Sequence, residues 1–332
     1  MVGADAELTR LPGLPPQAYE HPLDRRSLDS LEGTPGLETL VRKCNEWGLE
    51  RMITVQLMGN HFRVNPDNFP QLYGMMHRAC DILDLPKRPQ LYIGGLPGLN
   101  AVTAGIERPI IALSTAAVDV LSDDELAFVM AHELGHIKSG HVLYRQIAEY
   151  LPVICSQLEA VTLGVGKLFS TALEIALKSW ERTSELTADR AGLLATQNPD
   201  AALSTLMKLA GLPQKYFSSI NTEDFVTQAR QFHELDGDTL SWIMKALSIM
   251  DQTHPWTVVR AHELLRWIDS GQYDQILAAG KALGSPVPDG NALPIPRFCA
   301  YCGSQLKAGA AFCIQCGKGG GAHSHEQASG AR

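Results

Sequence analysis

Two histidines and a glutamate stand at metal-ligand spacing in the stretch AFVMAHELGHIKSGH, residues 127–141. On an α-helix, His132 and His136 lie one turn apart on the same face, so both imidazoles can point at a common ion. Zinc suits this arrangement, because a catalytic zinc is held by three protein ligands and keeps its fourth position for water. We therefore interpret His132 and His136 as half of a catalytic zinc site.

Glu133 is the residue expected to act on that water. Along a helix it is rotated by about 100° from His132, which brings it beside the ion without making it a ligand. The ion would lower the pKa of the bound water toward ~7 and polarise a peptide carbonyl. Glu133 would take the proton of the water and hand it to the leaving amine. The alternative, incidental histidines on a solvent-exposed helix, is disfavoured by the apolar residues Phe128, Val129 and Ala131 before the motif.

The third ligand must come from another part of the chain. A known spacing places a glycine three residues and a histidine six residues after His136, but Ser139 and Val142 stand at those positions. His141 does not replace the missing ligand, because on a continuing helix it lies about 140° away from His136. We interpret His141 as a structural residue.

The stretch SWERTSELTADRAGLL, residues 179–194, supplies carboxylates on a later helix. Glu185 and Asp189 are four residues apart and share a face, so Glu185 can complete the site while Asp189 accepts the remote N–H of a ligating histidine. An isolated pair of this kind is usually solvated, but this one is flanked by small and apolar residues. We predict His132, His136 and Glu185 as the zinc ligands and Asp189 as the orienting acid.

Several predicted elements would position these residues. Ser122, followed by three acids, predicts the N-terminus of the helix that carries the histidines and extends to about residue 142. QLYI, NAVTAGI and PIIALS predict three short strands before it, and MITVQLMGNHFRV predicts a β-hairpin around Gly59-Asn60. The chain after the histidine helix is predicted to be mostly helical to about residue 280. The fold class is therefore α+β and mainly helical.

Composition divides the chain into five parts. Residues 1–23 are Pro-rich and predict an extended N-terminal arm, and residues 24–284 form the domain with the metal site. Residues 285–296 are predicted to be a linker, residues 297–318 a small Cys-rich module, and residues 319–332 a flexible tail.

The Cys-rich module predicts a second metal site. Its cysteines follow the pattern C-x2-C-x10-C-x2-C, and each pair is followed by glycine, which permits the tight turn that such a site needs. Four thiolates close the coordination shell, so we expect a structural zinc ribbon, with a redox iron site as the less favoured alternative. The ligands would be Cys299, Cys302, Cys313 and Cys316. So small a module depends on its metal to fold and can recruit a protein partner.

Charge and hydropathy limit the classes of partner and location. The net charge of −8 disfavours nucleic acid as a partner. The N-terminus lacks a basic start followed by an apolar core, so we expect no signal peptide and a cytoplasmic protein. Residues 150–178 are rich in apolar side chains, but Glu159, Lys167 and Glu174 interrupt them. A spanning helix needs roughly 18 or more uncharged apolar residues. We predict buried or amphipathic helices there, and peripheral membrane contact stays open.

The sequence resembles a known family at two motifs. GHIKSGH after HE, followed by W-E-R-x-S-E-L-x-A-D-R-A-G, is similar to the HtpX-like and CaaX-prenyl-protease group of zinc metalloendopeptidases, metallopeptidase family forty-eight. The likeness covers most of residues 20–270. It implies a gluzincin-type α+β fold with a small sheet over the HExxH helix, zinc held by His132, His136 and Glu185, and Glu133 as base. This chain lacks clear transmembrane helices, which puts a lipidated substrate in doubt.

The same resemblance suggests roles for two further segments. The strand NAVTAGI would lie along the cleft, where Asn100 and Ala101 could bind an extended peptide through main-chain hydrogen bonds. An ordinary strand is an equally good interpretation. In THPWTVVR, His254 would donate to the oxyanion and Arg260 would pair with an acid near the zinc helices. The alternative for His254 is an ordinary position at a helix N-terminus.

Two classes of function remain in view. The first is a zinc metalloendopeptidase acting on protein or peptide substrates, for which protein quality control is a compatible role. The second is a catalytically inactive, protease-like binding or chaperone protein whose ribbon recruits partners. Glu133 favours the enzyme, because a binding protein has no need of a base beside an open zinc position.

Overall fold

A computed structural model of the chain describes residues 8–34, 37, 41, 48–150, 166–217, 219–234, 256–284, 297–298 and 305–306. Residues 142–150 are also helical. The named helices within these residues are α1 (Pro22–Glu32), α2 (Leu49–Asn60), α3 (Pro70–Ile82), α4 (Thr115–Val120), α5 (Asp123–Lys138), α6 (Gly166–Thr196), α7 (Pro199–Leu209), α8 (Thr222–Glu234), α9 (Thr257–Asp269) and α10 (Gln272–Gly284). The strands are β1 (His61–Arg63), β2 (Gln90–Gly94), β3 (Ala101–Ala104), β4 (Ile110–Ser114), β5 (Arg297–Phe298) and β6 (Gln305–Leu306). The predicted α+β, mainly helical class is confirmed.

A four-stranded sheet in the order β1-β2-β4-β3 lies beside the helices. Strands β2 and β4 run parallel, while β1 and β3 pair antiparallel with their neighbours, and the register joins Val102 to Ala112. Side chains alternate between the two faces. Leu91, Ile111 and Leu113 therefore enter the main core, whereas Tyr92, Ile110 and Ala112 form a separate cluster on the outer face. The three strands predicted before the histidine helix are confirmed, and β3 lies at one edge.

The predicted hairpin around Gly59-Asn60 is wrong. Residues up to Asn60 belong to helix α2, and only His61–Arg63 form a strand, which pairs with β2. Ile53 and Leu57 are one helical turn apart, and both face the molecule: Ile53 is buried, and Leu57 packs on the outer face of the sheet. Burial of this helical face outweighs the β-propensity of the local sequence, which is a weak preference.

A capping box starts α5, as the sequence predicts. The Ser122 side chain accepts from the backbone N–H of Glu125, and the Glu125 side chain accepts from the backbone N–H of Ser122. Lys208 and Ser204 of α7 also donate to the Glu125 carboxylate. The first turn of α5 is therefore capped by its own residues and also bonded to α7 through Glu125.

The other end of α5 reverses the chain sooner than expected. The helix stops at Lys138, and Gly140 has a φ of +74°. Gly140 N–H donates to the carbonyl of Ile137, and His141 N–H donates to the carbonyl of His136. This is a Schellman motif, in which glycine takes the left-handed conformation and the following residue folds back over the last turn. The reversal returns His141 to the side of His136, which an uninterrupted helix would not do.

Helices α5 and α6 cross at glycines. A Cβ on Gly135 would lie 2.7 Å from the Cβ of Ala191 and 3.1 Å from the Cα of Ala188. A Cβ on Gly192 would lie 2.8 Å from the ring of Phe128. The two helices can approach this closely only because both positions lack a side chain.

The segment before α1 packs into the main core. Leu11, Leu14 and Tyr19 are buried in the same cluster as the residues of α5. The Gln197 side chain at the end of α6 bonds both backbone groups of Thr9. Residues 8–21, which fall in the region interpreted as an extended arm, are thus part of the folded domain.

Two other predicted regions are described only in part. Strands β5 and β6 pair antiparallel, but the four cysteines lie outside the described residues, so the zinc ribbon stays a prediction. In the apolar segment 150–178, Leu173 and Leu177 are buried beside Trp180, while Ile175 is exposed. Residues 151–165 lie outside the described part. None of the described helices combines the length and apolarity needed to cross a bilayer.

Gly135→Ala should lower the free energy of unfolding by about 1–3 kcal/mol, because the added methyl group overpacks the crossing of α5 and α6. Chemical denaturation measures this change. Gly59→Ala, on α2, is the matched control, since a Cβ at that position would meet no atom within 4 Å. That control should raise stability by about 0.5–1 kcal/mol. Equal effects of the two substitutions would contradict a tight crossing.

Candidate metal centre

The helix crossing brings two histidines of α5 and a glutamate of α6 together. The Nε2 atoms of His132 and His136 are 3.2 Å apart. Glu185 places one carboxylate oxygen 3.5 Å from His132 Nε2 and the other 3.2 Å from His136 Nε2. All three residues are buried, and their candidate ligand atoms lie within 4.8 Å of one another.

This donor set fits zinc. Two imidazole nitrogens and one carboxylate are the ligands of many catalytic zinc sites, which keep a further position open. The three side chains converge, and their candidate ligand atoms are close enough together to share one ion. The residues that the sequence singles out as ligands therefore form a chemically suitable metal centre.

Asp189 and Arg260 lie on the side of His132 that faces away from the other candidate ligands. Asp189 Oδ1 lies 3.0 Å from His132 Nδ1, so the remote nitrogen of the imidazole can donate to it. Arg260 of α9 donates to both Asp189 oxygens, through Nε at 2.8 Å and Nη2 at 2.6 Å. Its Nη1 lies 3.2 Å from a Glu185 oxygen. The structure thus places Asp189 and Arg260 where sequence reasoning expected an orienting acid and its cationic partner.

The pKa values in this network follow from burial and charge. Burial alone would lower the pKa of His132, but Asp189 and Glu185 outweigh it and raise the pKa to about 9. Burial alone would raise the pKa of Asp189, whereas the Arg260 guanidinium holds it below its ordinary value. Asp189 therefore stays ionised and keeps His132 oriented.

His136 has a different environment. Burial and the Arg145 cation hold its pKa well below the ordinary value. Arg145 donates to a Glu185 oxygen and lies 2.8 Å from His136 Nε2. The second ring nitrogen of His136 lies 3.0 Å from Nδ1 of His141. Each of the two candidate ligand histidines therefore has a polar partner on the nitrogen that faces away from the candidate metal centre.

Glu133 lies next to the centre and is bound to the sheet. The Thr103 hydroxyl of β3 donates to Glu133 Oε2 at 2.5 Å. Both side chains are buried. Because Thr103 belongs to the edge strand, the orientation of Glu133 depends on the sheet as well as on α5.

A cleft of about 290 Å³ opens above the centre. His132, Glu133 and Glu185 lie in its wall, and Asn100 and Ala101 border it from the side of the sheet. The rest of the lining is mostly apolar: Pro97, Gly98, Leu99, Ala117, Leu121, Phe128, Val129 and Leu209, with Thr257 and Arg260 from α9. The metal centre is therefore open to a ligand that lies between β3 and α9.

Comparison with known proteins agrees with this geometry. The family model for peptidase family M48 matches residues 66–268, more than half of the chain. The chain belongs to peptidase family M48. It is therefore a metallopeptidase, and its HExxH helix and Glu185 both lie within the matched segment.

Several curated proteins are similar to this M48 chain. The plastoglobule-localized metallopeptidase 48 of Arabidopsis thaliana is 31% identical over 261 residues, covering 78% of this chain and 74% of that protein. The protease HtpX homolog 2 of Methanosarcina mazei is 29% identical over 219 residues, covering 58% and 70%. The protease HtpX homolog of Ralstonia pickettii is 28% identical over 251 residues, covering 68% and 83%. No solved structure gives a significant match.

Five predicted site residues of this M48 metallopeptidase cannot be placed, and two residues near the centre were not predicted. His254 and the four cysteines of the ribbon lie outside the described residues. Thr103 and Arg145 carry no recognisable signal, because each reaches the centre only through the tertiary fold. The position of His141 could have been found from Gly140, since glycine after a helix indicates a reversal.

Asp189→Asn should weaken zinc binding at the His132 site by about 10–100-fold, because the amide is uncharged and orients the imidazole less strongly. Competition with a zinc chelator measures the dissociation constant. Asp119→Asn, at an exposed position of α4, is the control and should leave the constant unchanged. An unchanged constant in Asp189→Asn would show that the contact does not tune the ligand.

Proposed function

We propose that the chain is a zinc-dependent endopeptidase that hydrolyses peptide bonds in protein substrates. The observation that carries this proposal is the buried His132–His136–Glu185 cluster beside Glu133 at the wall of an open cleft. Family membership supports the class of chemistry.

The residues of the chain have distinct roles in this reaction. A zinc ion held by His132, His136 and Glu185 would supply a Lewis acid and lower the pKa of water at the site. Glu133 removes a proton from the attacking water and transfers it to the leaving amine. The hydrogen bond from Thr103 leaves one carboxylate oxygen of Glu133 for this transfer and fixes the direction in which it points. Asp189 keeps His132 oriented throughout.

Edge strand β3 is proposed to bind the substrate backbone. It pairs with β4 on one side, and its first residues border the cleft. The turn before it is held in place, because Ser114 N–H donates to the Asn100 carbonyl and Asn100 N–H donates to the Ser114 hydroxyl. An extended peptide added along Asn100 and Ala101 would pair with the main chain of Ala101, because the main-chain groups of Asn100 already bond Ser114, and would tolerate many side chains. This mode of binding suits unfolded protein segments.

His254 is proposed as the donor to the oxyanion. Thr257 and Arg260, at the start of α9, line the cleft, and His254 precedes this helix by three residues. A hydrogen bond to the developing oxyanion generally contributes a few kcal/mol to the stability of the transition state. The assignment of His254 is supported by its short distance along the chain from the cleft residues Thr257 and Arg260.

The predicted zinc ribbon, cytoplasmic location and peripheral membrane contact through residues 150–178 belong to the same proposal. Cys299, Cys302, Cys313 and Cys316 would hold a structural zinc that helps the module recruit a protein partner. The alternative function, a catalytically inactive protease-like protein, would leave the buried Glu133 without a purpose beside the metal centre.

Glu133→Gln should retain the fold and bound zinc while cleavage of an unfolded protein substrate falls by at least about 10²-fold, because an amide cannot accept the proton. Glu107→Gln, at an exposed position, serves as control. Product formation is followed by electrophoresis and zinc content by atomic emission. A Glu133→Gln protein that cleaves as fast as the parent would eliminate Glu133 as the base.

The intact protein should contain two zinc ions per chain. His132→Ala should remove one ion together with activity, and Cys299→Ser should remove the other, because the two sites share no ligand. Metal analysis of the purified proteins makes the comparison. One ion per intact chain would contradict the two-site prediction.

A further inference from the structure

His141 is a buried residue that the proposed reaction does not use. Its Nδ1 lies 3.0 Å from Nδ1 of His136, and its Nε2 lies 3.2 Å from Oδ2 of Asp24. Its ring also makes an edge-to-face contact with Trp180 at a centroid distance of 5.5 Å. His141 therefore connects a predicted metal ligand to a carboxylate of α1.

The positions of the nitrogens assign the protons along this connection. His136 directs Nε2 at Glu185 and at Nε2 of His132, so its proton is on Nδ1 when Nε2 binds a metal. That N–H then donates to Nδ1 of His141. The remaining nitrogen of His141, Nε2, carries a proton and donates to Asp24. Each neutral imidazole has one tautomer that satisfies both of its contacts.

The carboxylate of Asp24 is held in place by α6. Asp24 is fully buried, and its Oδ2 accepts from the Thr187 hydroxyl. Thr187 in turn accepts from the backbone N–H of His21, the cap of α1. The other oxygen, Oδ1, has no hydrogen bond within the described part of the chain. A buried carboxylate is costly, and the contacts that offset its burial are those to His141 and Thr187.

The two candidate ligand histidines are thus oriented in related ways by carboxylates of two different helices. Asp189 contacts His132 directly from α6. Asp24 contacts His136 through an intervening imidazole, from a helix near the N-terminus. In metal sites, a carboxylate on the remote N–H of a ligating histidine fixes its tautomer and raises its basicity. The intervening His141 can transmit the same effect.

We propose that Asp24 and His141 form a positioning relay that holds His136 in its metal-binding tautomer, so that metal affinity depends on a side chain contributed by α1. This inference rests on the proposed zinc site. Neither residue touches the substrate or the ion; both act through His136.

The docking of the N-terminal segment has contacts outside the relay, which provide a control. The Tyr19 hydroxyl lies 3.1 Å from Oγ of Ser139, at the end of α5. Arg190 donates to the backbone carbonyls of Tyr19 and Glu20. Removing one of these contacts loosens the same segment without removing a hydrogen bond of the relay.

The test compares zinc affinity among four variants of the full chain, by competition with a chelator. His141→Phe retains an aromatic ring against Trp180 but removes both hydrogen bonds, and Asp24→Leu removes the carboxylate. Each should weaken zinc binding at the His132 site by about 10–100-fold. His141→Asn should bind zinc more tightly than His141→Phe and more weakly than the parent, because its carbonyl oxygen can occupy the position of Nδ1 and accept from His136 but its side chain has no atom at the position of Nε2 to contact Asp24. Tyr19→Phe should bind zinc like the parent.

Coupling between the two relay residues gives a second measurement. The double variant Asp24→Leu/His141→Phe should bind zinc no more weakly than His141→Phe alone, because both substitutions break one chain of hydrogen bonds. The visible absorption spectrum of Co²⁺ in the site should also change in His141→Phe and remain parent-like in Tyr19→Phe.

The outcomes separate the relay from the proposed function. Variants that lose stability without zinc but bind zinc with the parent affinity would overturn the relay and leave the peptidase intact. Additive losses in the double variant would overturn it as well. A parent chain that binds no zinc through His132 would overturn the proposed function and the relay with it.

Discussion

Helices α5 and α6 cross with Gly135 of one against Ala188 and Ala191 of the other, and the metal centre is a consequence of this approach. One residue away from this contact, His136 faces Glu185 across the crossing. A side chain at Gly135 would push the two helices apart, and the three ligand atoms would no longer converge. Close packing of the two helices and convergence of the candidate ligands are therefore one constraint in this part of the molecule.

A balanced set of buried charges surrounds the crossing. Glu185 and Asp189 are buried carboxylates, and Arg145 and Arg260 bring guanidinium groups to them. Buried ion pairs of this kind contribute little net stability, because the cost of removing the charges from water offsets their attraction. Here the ion pairs fix the orientation of the side chains. Bidentate contact with Arg260 fixes the Asp189 carboxylate, and that carboxylate fixes the ring of His132.

The sequence predicts local features of this site better than its long-range contacts. Helical periodicity correctly pairs His132 with His136, and Glu185 with Asp189. Ser122 correctly marks the start of α5. These predictions succeed because each feature depends only on residues within one or two helical turns. The hairpin at Gly59-Asn60 was wrongly predicted because α2 is stabilised by the burial of Ile53 and the packing of Leu57 on the sheet, contacts that no local pattern contains.

The same limit applies to the residues that surround the ligands. The 140° rotation expected for His141 assumes a continuing helix, and the chain reverses at Gly140 instead. Thr103 and Arg145 become partners of Glu133 and Glu185 only when the strand and the next helix are packed. Asp24 is more than one hundred residues from His141 along the chain, so no spacing rule connects them.

The folded domain begins well before residue 66, where the family model begins. The family model begins at residue 66, yet Leu11, Leu14 and Tyr19 fill the same core as α5, and Asp24 reaches the imidazole behind a ligand. A fragment cut at the family boundary would expose the apolar surface that these residues cover. The folded core is therefore larger than the segment that the family model matches, and it includes N-terminal residues that lie before that segment.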